Sequence, residues 1–348
     1  MGIRASAFRK IKNKKMGETR SVLDVLKKLN KDKAESDKIG FLRDMPSDFL
    51  SKGFISTGSV YLDSKVGGHN RTGMTLLTGW ESSGKSSLFL MAVREAQLKY
   101  PDKVPVIFDG EGSINNSYLT RMGVDTENLI IRKEKNLEAV LNEAEAFSLA
   151  DDVSLIGFDS IKSFFSSIDE AKSAEEYSIG GSAKRWNTRI PIISSNCFRR
   201  GIPLIFVHQW RRDPGKMMGD NRVLSGGEWV KYMPDLWLDL TKKELILDEN
   251  KEPVGHILDV RIKKSKNTAY DGTDANSLNL YYEGGFNKTD EYVNVFIEKD
   301  IVKQGGAWFT FPNENGEEIK QNGKSKVITY LKENPTTFDF LINKIGAA

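Results

Sequence analysis

From residue 54 onward, short apolar runs alternate with longer amphipathic stretches. The runs MTLLT (74–78), VPVIFD (104–109), NLIIR (128–132), VSLIGFD (153–159) and PLIFVH (203–208) are strand-length and continuously apolar in character. Helical spacing separates them at 84–100, around Leu119, at 136–149 and at 182–198. Continuous apolar strands alternating with helices predict an α/β fold, with a mostly parallel sheet covered on both faces. Three later strands, LWLDL (236–240), HILDVRIK (256–263) and LNLYY (278–282), have no comparable helices between them. They are expected to extend the sheet in antiparallel fashion.

The ends of the chain read differently. SVLDVLKKL (21–29) puts Val22, Leu23, Leu26 and Leu29 on one helical face, and the polar stretch NKDKAESDK follows as a linker. So short a helix cannot bury its stripe alone and must dock on its own core or on a neighbouring subunit. After EGGFN the pattern shifts to short elements and polar turns. The expected division is an N-terminal helix and linker (1–40), an α/β core (41–287) and a small C-terminal α+β domain (288–348).

One stretch carries unusual chemistry. TGWESSGKSS follows the first long strand, and its Gly79, Gly84, Lys85 and Ser86 match G-x-x-x-x-G-K-[ST], the phosphate-binding loop. Its glycines let backbone N–H groups turn toward phosphate oxygens, helped by the positive end of the next helix. The ATP contacts expected from it are Gly79, Glu81, Ser82, Ser83, Gly84, Lys85, Ser86 and Ser87. Lys85 is to reach the β- and γ-phosphates, and the Ser86 hydroxyl is to ligate Mg²⁺.

Composition narrows the class without changing that reading. With 348 residues, 39% hydrophobic and 28% charged, the chain reads as a soluble globular protein. No apolar run approaches the roughly 20 residues that span a bilayer. The basic N-terminus lacks the apolar centre of a secretory signal, so a cytoplasmic location and no membrane partner are expected. Cys197 is the only cysteine, read as packing, and the histidines at 69, 208 and 256 are too scattered for a zinc site. A net charge of +3 says nothing about nucleic acid, but the first 33 residues hold eleven Lys or Arg against three acids. A solvated arm and a DNA-contacting arm both fit that bias.

Ligands of such sheets gather at the carboxyl ends of the strands. Asp159 ends a strand there and is the candidate acid holding Mg²⁺ through water. FDGEG places Asp109 and Glu111 on the same rim, with Glu111 as the carboxylate that orients or deprotonates an attacking water. Gln209 ends a third strand and can bond a γ-phosphate or its water. From it runs RRDPGKMMGDNRVLSGG, a seventeen-residue loop with Arg211, Arg212, Lys216, Arg222 and the pair Gly226–Gly227. A loop that long inside a compact domain is commonly functional, and its cations suit nucleic-acid phosphates. EEYSIGGSAKRW, with Lys184 and Arg185, is a second candidate.

FISTGSVYLD, GWESSGKSS, FDGEGSINNSYLTRMGVD, LIGFDS, LIFVHQ, the Gly226–Gly227 loop, RIKKSKN and GGAWFTF…LKENP occur in an order and spacing that resemble RecA-type recombinases of bacteria or their phages. The resemblance covers nearly the whole chain and implies a RecA-like P-loop NTPase core. It also implies an ATP-dependent strand-exchange protein that forms helical filaments on single-stranded DNA and pairs it with homologous duplex. By the same resemblance, Glu111 is the catalytic glutamate and Gln209 links ATP to the DNA loop. Tyr118 is to stack on adenine, with Asn115 near the base. Lys264 and Lys266 are to reach the neighbouring subunit's ATP, Ile179 is to wedge between bases, and the N-terminal helix is to pack on the next subunit.

Departures from the family pattern fall on the DNA loops. Met218 stands where an aromatic is usual, Asp213 and Glu228 replace a lysine and an asparagine, and Pro191 is expected to interrupt the helix after the first loop. The acidic C-terminal tail of many members is absent. Two alternatives share the ATPase core: a ring helicase, and an ATP-gated DNA-binding regulatory factor without strand exchange.

Overall fold

The computed structural model describes residues 22–32, 52–167, 181–213, 215, 221–268 and 275–345. Ile179, Lys216, Met218, the arm before residue 22 and most of the linker lie outside them. The chain divides into two compact units, Met1–Leu50 and Ser51–Ala348. In the first, α1 (Val22–Asn30) places Lys27 and Lys28 in its last turn, opposite in sign to the carbonyl end of the helix.

The second unit opens with β1 (Phe54–Ile55), α2 (Val60–Val66), β2 (His69–Asn70), β3 (Met74–Gly79) and α3 (Lys85–Lys99). It continues through β4 (Val104–Asp109), α4 (Asn116–Arg121), β5 (Ile130–Arg132), α5 (Leu137–Phe147), β6 (Val153–Asp159), α6 (Gly181–Arg200) and β7 (Leu204–Gln209). Then come β8 (Arg211–Arg212), β9 (Arg222–Val223), α7 (Trp229–Tyr232), β10 (Leu236–Leu247), β11 (Pro253–Ser265), β12 (Ala275–Tyr281) and β13 (Gly285–Phe286). Among the described residues, nine strands form one sheet in the order β13-β12-β11-β10-β3-β7-β6-β4-β5.

The continuous apolar runs feed two cores, because successive strand residues face opposite sides. Leu77, Ile107, Leu155, Ile205 and Val207 pack with α3 on one face. Leu76, Val106, Phe108, Ile156, Phe158 and Phe206 pack with α5 and α6 on the other. In register across β4, β6 and β7, Phe158 stacks on Phe108 at 5.1 Å and on Phe206 at 4.9 Å. This aromatic row locks the three strands side by side, so that Asp109 and Asp159 emerge level with one another.

Three expectations need correction. The first late strand, β10, runs parallel to β3, and only β11, β12 and β13 continue in antiparallel fashion. β10 and β11 also outrun their apolar segments. Beyond Leu240 they pair with each other past the end of β3, so residues 241–245 are exposed and need no apolar pattern. Pro191 does not interrupt its helix, since α6 continues from Gly181 to Arg200 around it. Ile190 and Ile193, both fully buried, hold that segment against the sheet and outweigh the missing N–H.

Residues beyond β13 form α8 (Lys288–Glu298), β14 (Lys303–Gly305), β15 (Trp308–Pro312), β16 (Glu318–Asn322), α9 (Lys324–Glu333) and α10 (Pro335–Ile345). They carry their own core of Val293, Phe296, Val302, Phe309, Phe311, Val327, Leu331 and Leu341. Glu291 ties this core to the sheet region, accepting from the Val60 N–H at 2.9 Å and from the Ser59 hydroxyl.

Gly157, in the middle of β6, sets the seat of α3. A Cβ there would lie 2.2 Å from the Phe89 ring, so the helix rests directly on strand backbone. Gly157→Ala is expected to destabilise the fold by about 1–3 kcal/mol through overpacking. It should also weaken nucleotide binding by tilting α3, both measurable by denaturant titration and by nucleotide fluorescence.

Candidate active site

The turn between β3 and α3 is built for backbone approach. Gly84 adopts φ +87°, a conformation that favours glycine, and α3 starts immediately after it. At Gly79 a side chain has no room: a Cβ would lie 2.3 Å from Ser83 Oγ and 2.5 Å from the Leu240 carbonyl. Inside the loop, the Lys85 ammonium donates to the Trp80 carbonyl at 2.6 Å. Burial lowers the Lys85 pKa, while the carboxylates of Asp159, Glu111, Glu81 and Asp239 oppose that shift.

Around this loop lies a cleft of about 570 Å³, a volume suited to a nucleotide. It is lined by the loop residues Glu81, Ser82, Ser83, Gly84, Lys85, Ser86 and Ser87, and by Glu111, Tyr118, Asp159 and Gln209. The sheet therefore brings together most of the residues that the sequence nominates from the phosphate loop and the strand ends. Arg121, Lys242, His256 and Tyr282 also line it and were not anticipated. No local pattern marks them, because Lys242 and His256 reach the cleft through the overhanging β10–β11 pair.

Three strand ends converge on Glu111. Its Oε1 accepts from Ser160 Oγ at 2.6 Å and from Gln209 Nε2 at 2.9 Å. The companion Asp109 is buried and serves a different end, accepting from the Gly112 N–H at 2.8 Å and the Ile114 N–H at 3.1 Å. It folds the turn that presents Glu111. Tyr118 meets Ser87 hydroxyl to hydroxyl at 2.8 Å, and the Arg121 guanidinium lies 5.9 Å from its ring centroid. Asn115 caps α4 by accepting from the Tyr118 N–H at 3.0 Å. It thereby fixes the position of Tyr118.

Asp159 fits a hard cation. Burial pushes its pKa up to about 7, reinforced by Glu111 and Asp109 and opposed by Ser86 and Lys85. Its Oδ2 is buried without a hydrogen-bond partner, and its carboxylate accepts from Ser86. No cluster of three or more His, Cys, Asp or Glu suited to a metal occurs among the described residues. One hydroxyl and one carboxylate, completed by phosphate oxygens and water, is the sparse set that Mg²⁺ takes at phosphate sites.

Lys264 and Lys266 are not brought to this cleft. Ser265 pairs with Leu236, which pairs with Thr75 near the start of β3, so they sit at the opposite end of the sheet from the phosphate loop. Lys264 donates to the Tyr232 carbonyl at 2.8 Å, and Lys266 pairs with Asp235 at 2.8 Å.

The two basic loops meet at their described ends. Gly226 and Gly227 have φ +98° and +100°, and a Cβ on Gly227 would lie 2.8 Å from Asn187 Oδ1 on α6. Trp186 and Trp229 pack 5.6 Å apart beneath them. Lys184, Arg211 and Arg212 are exposed. Arg185 pairs with Glu138, and Arg222 pairs with the buried Asp239 at 3.0 Å. Asp213 turns the loop, its N–H donating to the Asn221 carbonyl at 2.8 Å and its side chain accepting from the Gly215 N–H.

Among the described residues no helix is long and apolar enough to cross a membrane. The RecA N-terminal domain family matches residues 25–287. Protein RecA of Malacoplasma penetrans is 29% identical over 295 residues, covering 84% of this chain and 87% of its own. Protein RecA of Mycoplasma mycoides is 28% identical over 86% of this chain and 85% of its own. That of Staphylococcus aureus strain JH9 is 30% identical over 80% and 79% respectively. With three-quarters of its length matched and a phosphate-loop cleft in place, the chain belongs to the RecA family of ATP-dependent recombination and strand-exchange proteins.

Proposed function

We propose that this protein polymerises on single-stranded DNA with ATP and Mg²⁺ held at each subunit boundary, aligns homologous duplex, exchanges strands, and hydrolyses ATP to let go. The observation that carries the reading is the Gln209–Glu111 hydrogen bond. It joins the last residue of β7, two positions before the basic loop, to the carboxylate that handles water, so one contact spans the DNA-facing and ATP-facing parts.

Lys85 exchanges its Trp80 carbonyl for the β- and γ-phosphates, with the loop amides around it. Ser86 and Asp159 would hold Mg²⁺, which supplies charge neutralisation on the phosphates. Both donors to Glu111 converge on Oε1, which leaves Oε2 to take the proton of the attacking water. Tyr118 offers its ring to the base, steadied by Ser87 and Arg121. The exposed Arg211 and Arg212 suit the DNA backbone, while base pairing supplies specificity.

Lys264 and Lys266 act across the boundary between subunits. Their place at the far end of the sheet supports this, since neither can serve its own cleft. They add positive charge to the neighbour's transition state, as an arginine finger does, and make turnover depend on assembly.

The decisive experiment is strand exchange between circular single strands and linear duplex, homologous or heterologous, with imaging of the complexes. Joint molecules from homologous duplex alone, on helical filaments, are expected. Closed hexameric rings would indicate a helicase, and ATP-gated DNA binding without joint molecules a regulatory factor.

Glu111→Gln is expected to keep ATP and DNA binding but slow hydrolysis by about 100-fold or more. Lost nucleotide affinity would instead make Glu111 structural.

Replacing Lys264 and Lys266 together by alanine should leave ATP binding by isolated subunits nearly intact and cut DNA-stimulated hydrolysis by about 100-fold or more. Mixed with Glu111→Gln subunits, it should recover part of the activity, because some interfaces then pair an intact Glu111 with intact lysines. Mixed filaments as inactive as their components would remove the cross-boundary role.

A further inference from the structure

The base of the basic loop is fastened to the floor of the phosphate loop by a buried carboxylate, Asp239, which also favours the charged form of Lys85. Asp239, only 5% exposed, lies on β10 directly beside Thr78, the residue before Gly79. Its Oδ1 accepts from the Thr78 hydroxyl at 2.8 Å and from the Trp210 indole N–H at 2.6 Å. Its Oδ2 accepts from Arg222 Nη1 at 3.0 Å. Arg222 also lies over the Trp210 ring at 4.9 Å, and the Trp237 indole donates to the Thr78 hydroxyl at 2.9 Å.

Trp210 and Arg222 flank residues 211–221, the greater part of the loop. The strands β8 and β9 pair Arg211 with Val223 and Arg212 with Arg222, which closes the base as a short ladder. The Trp210 N–H donates to the Gly79 carbonyl at 3.2 Å, and Arg212 lies 5.9 Å from the ring centroid of Trp80. His208 adds a latch one strand away, its Nε2 bonded to the Ser225 carbonyl at 2.7 Å. Both flanks of this segment thus converge on the residues that open the phosphate loop.

We infer that Asp239 is a positioning residue that couples the nucleotide site to the DNA loop by gripping both flanks of that segment, and that Arg222 is its anchor rather than a contact to DNA phosphate. This rests on the ATP-dependent assembly on single-stranded DNA proposed above, in which bound ATP strengthens the hold on DNA. A buried carboxylate with three donors has one well-satisfied arrangement. A shift of Thr78 and Gly79 as the phosphate loop closes on nucleotide is passed to Trp210 and Arg222 together, and reciprocally the loop biases Thr78. The route is separate from Gln209–Glu111, since it reaches the near side of the phosphate loop rather than the hydrolytic carboxylate.

Asp239→Asn keeps the shape and an acceptor for Trp210 and Thr78 but turns an N–H₂ group toward Arg222. Arg222→Gln breaks the same pair from its more exposed end and carries the test should Asp239→Asn lose the fold. The probe is a fluorescein-labelled oligothymidylate, titrated with and without a slowly hydrolysed ATP analogue across a range of salt. In both variants the analogue's enhancement of DNA affinity is expected to fall about tenfold, and no further in the double variant, as for two partners of one interaction. The salt slope of Arg222→Gln should match the unaltered protein, whereas Arg211→Ala should lower it by about one. A slope lowered by about one in Arg222→Gln, or an enhancement that survives in both variants, overturns the inference. If the unaltered protein shows no enhancement at all, the ATP-dependent assembly fails first and takes this coupling with it.

Discussion

One buried ammonium, bonded to a loop carbonyl and within the electrostatic reach of four carboxylates, organises this molecule. Lys85 is 5% exposed, and removal from water disfavours its charge. Asp159, Glu111, Glu81 and Asp239 hold that charge in place, and each arrives from a different part of the chain. Keeping four acids near one lysine requires the strand ends to be level, which the stacked Phe108, Phe158 and Phe206 arrange. It also requires α3 to lie close on β6, which Gly157 permits. Under the proposed function, a divalent ion held by Ser86 and Asp159 would add positive charge to this acid-rich rim.

The same geometry keeps Lys264 and Lys266 away from the cleft of their own subunit. Parallel strands place all their carboxyl ends on one rim, so chemistry collects there. The antiparallel return of β11 carries RIKKSKN to the other rim, where Lys266 rests on Asp235 and Lys264 on a carbonyl. Those exposed pairs contribute little to stability. Two cations therefore stand at the far rim, where the proposed cross-boundary role would require them.

Around the DNA loops, charge alone misleads. Arg211, Arg212, Arg222, Lys184 and Arg185 look alike in sequence, yet Arg185 is paired with Glu138 and Arg222 with Asp239. Fastening Arg222 turns a patch of like charges into a loop with a fixed base and a few outward cations.

The sequence by itself determined the strand runs of the core, the phosphate loop with Lys85 and Ser86, and membership of the family, because spacing along the chain encodes local chemistry directly. It also indicated Glu111, Asp159 and Gln209, since a residue that ends an apolar strand must emerge on the rim. Only the tertiary structure decided that β10 joins β3 in parallel, that Pro191 rides inside an unbroken helix, and that Asn115 caps α4. It alone placed Lys242, His256 and Tyr282 at the nucleotide cleft and Asp239 beneath Arg222. Each of these depends on which strands lie side by side and in what register, and pairings between residues tens to hundreds of positions apart leave no local pattern to read.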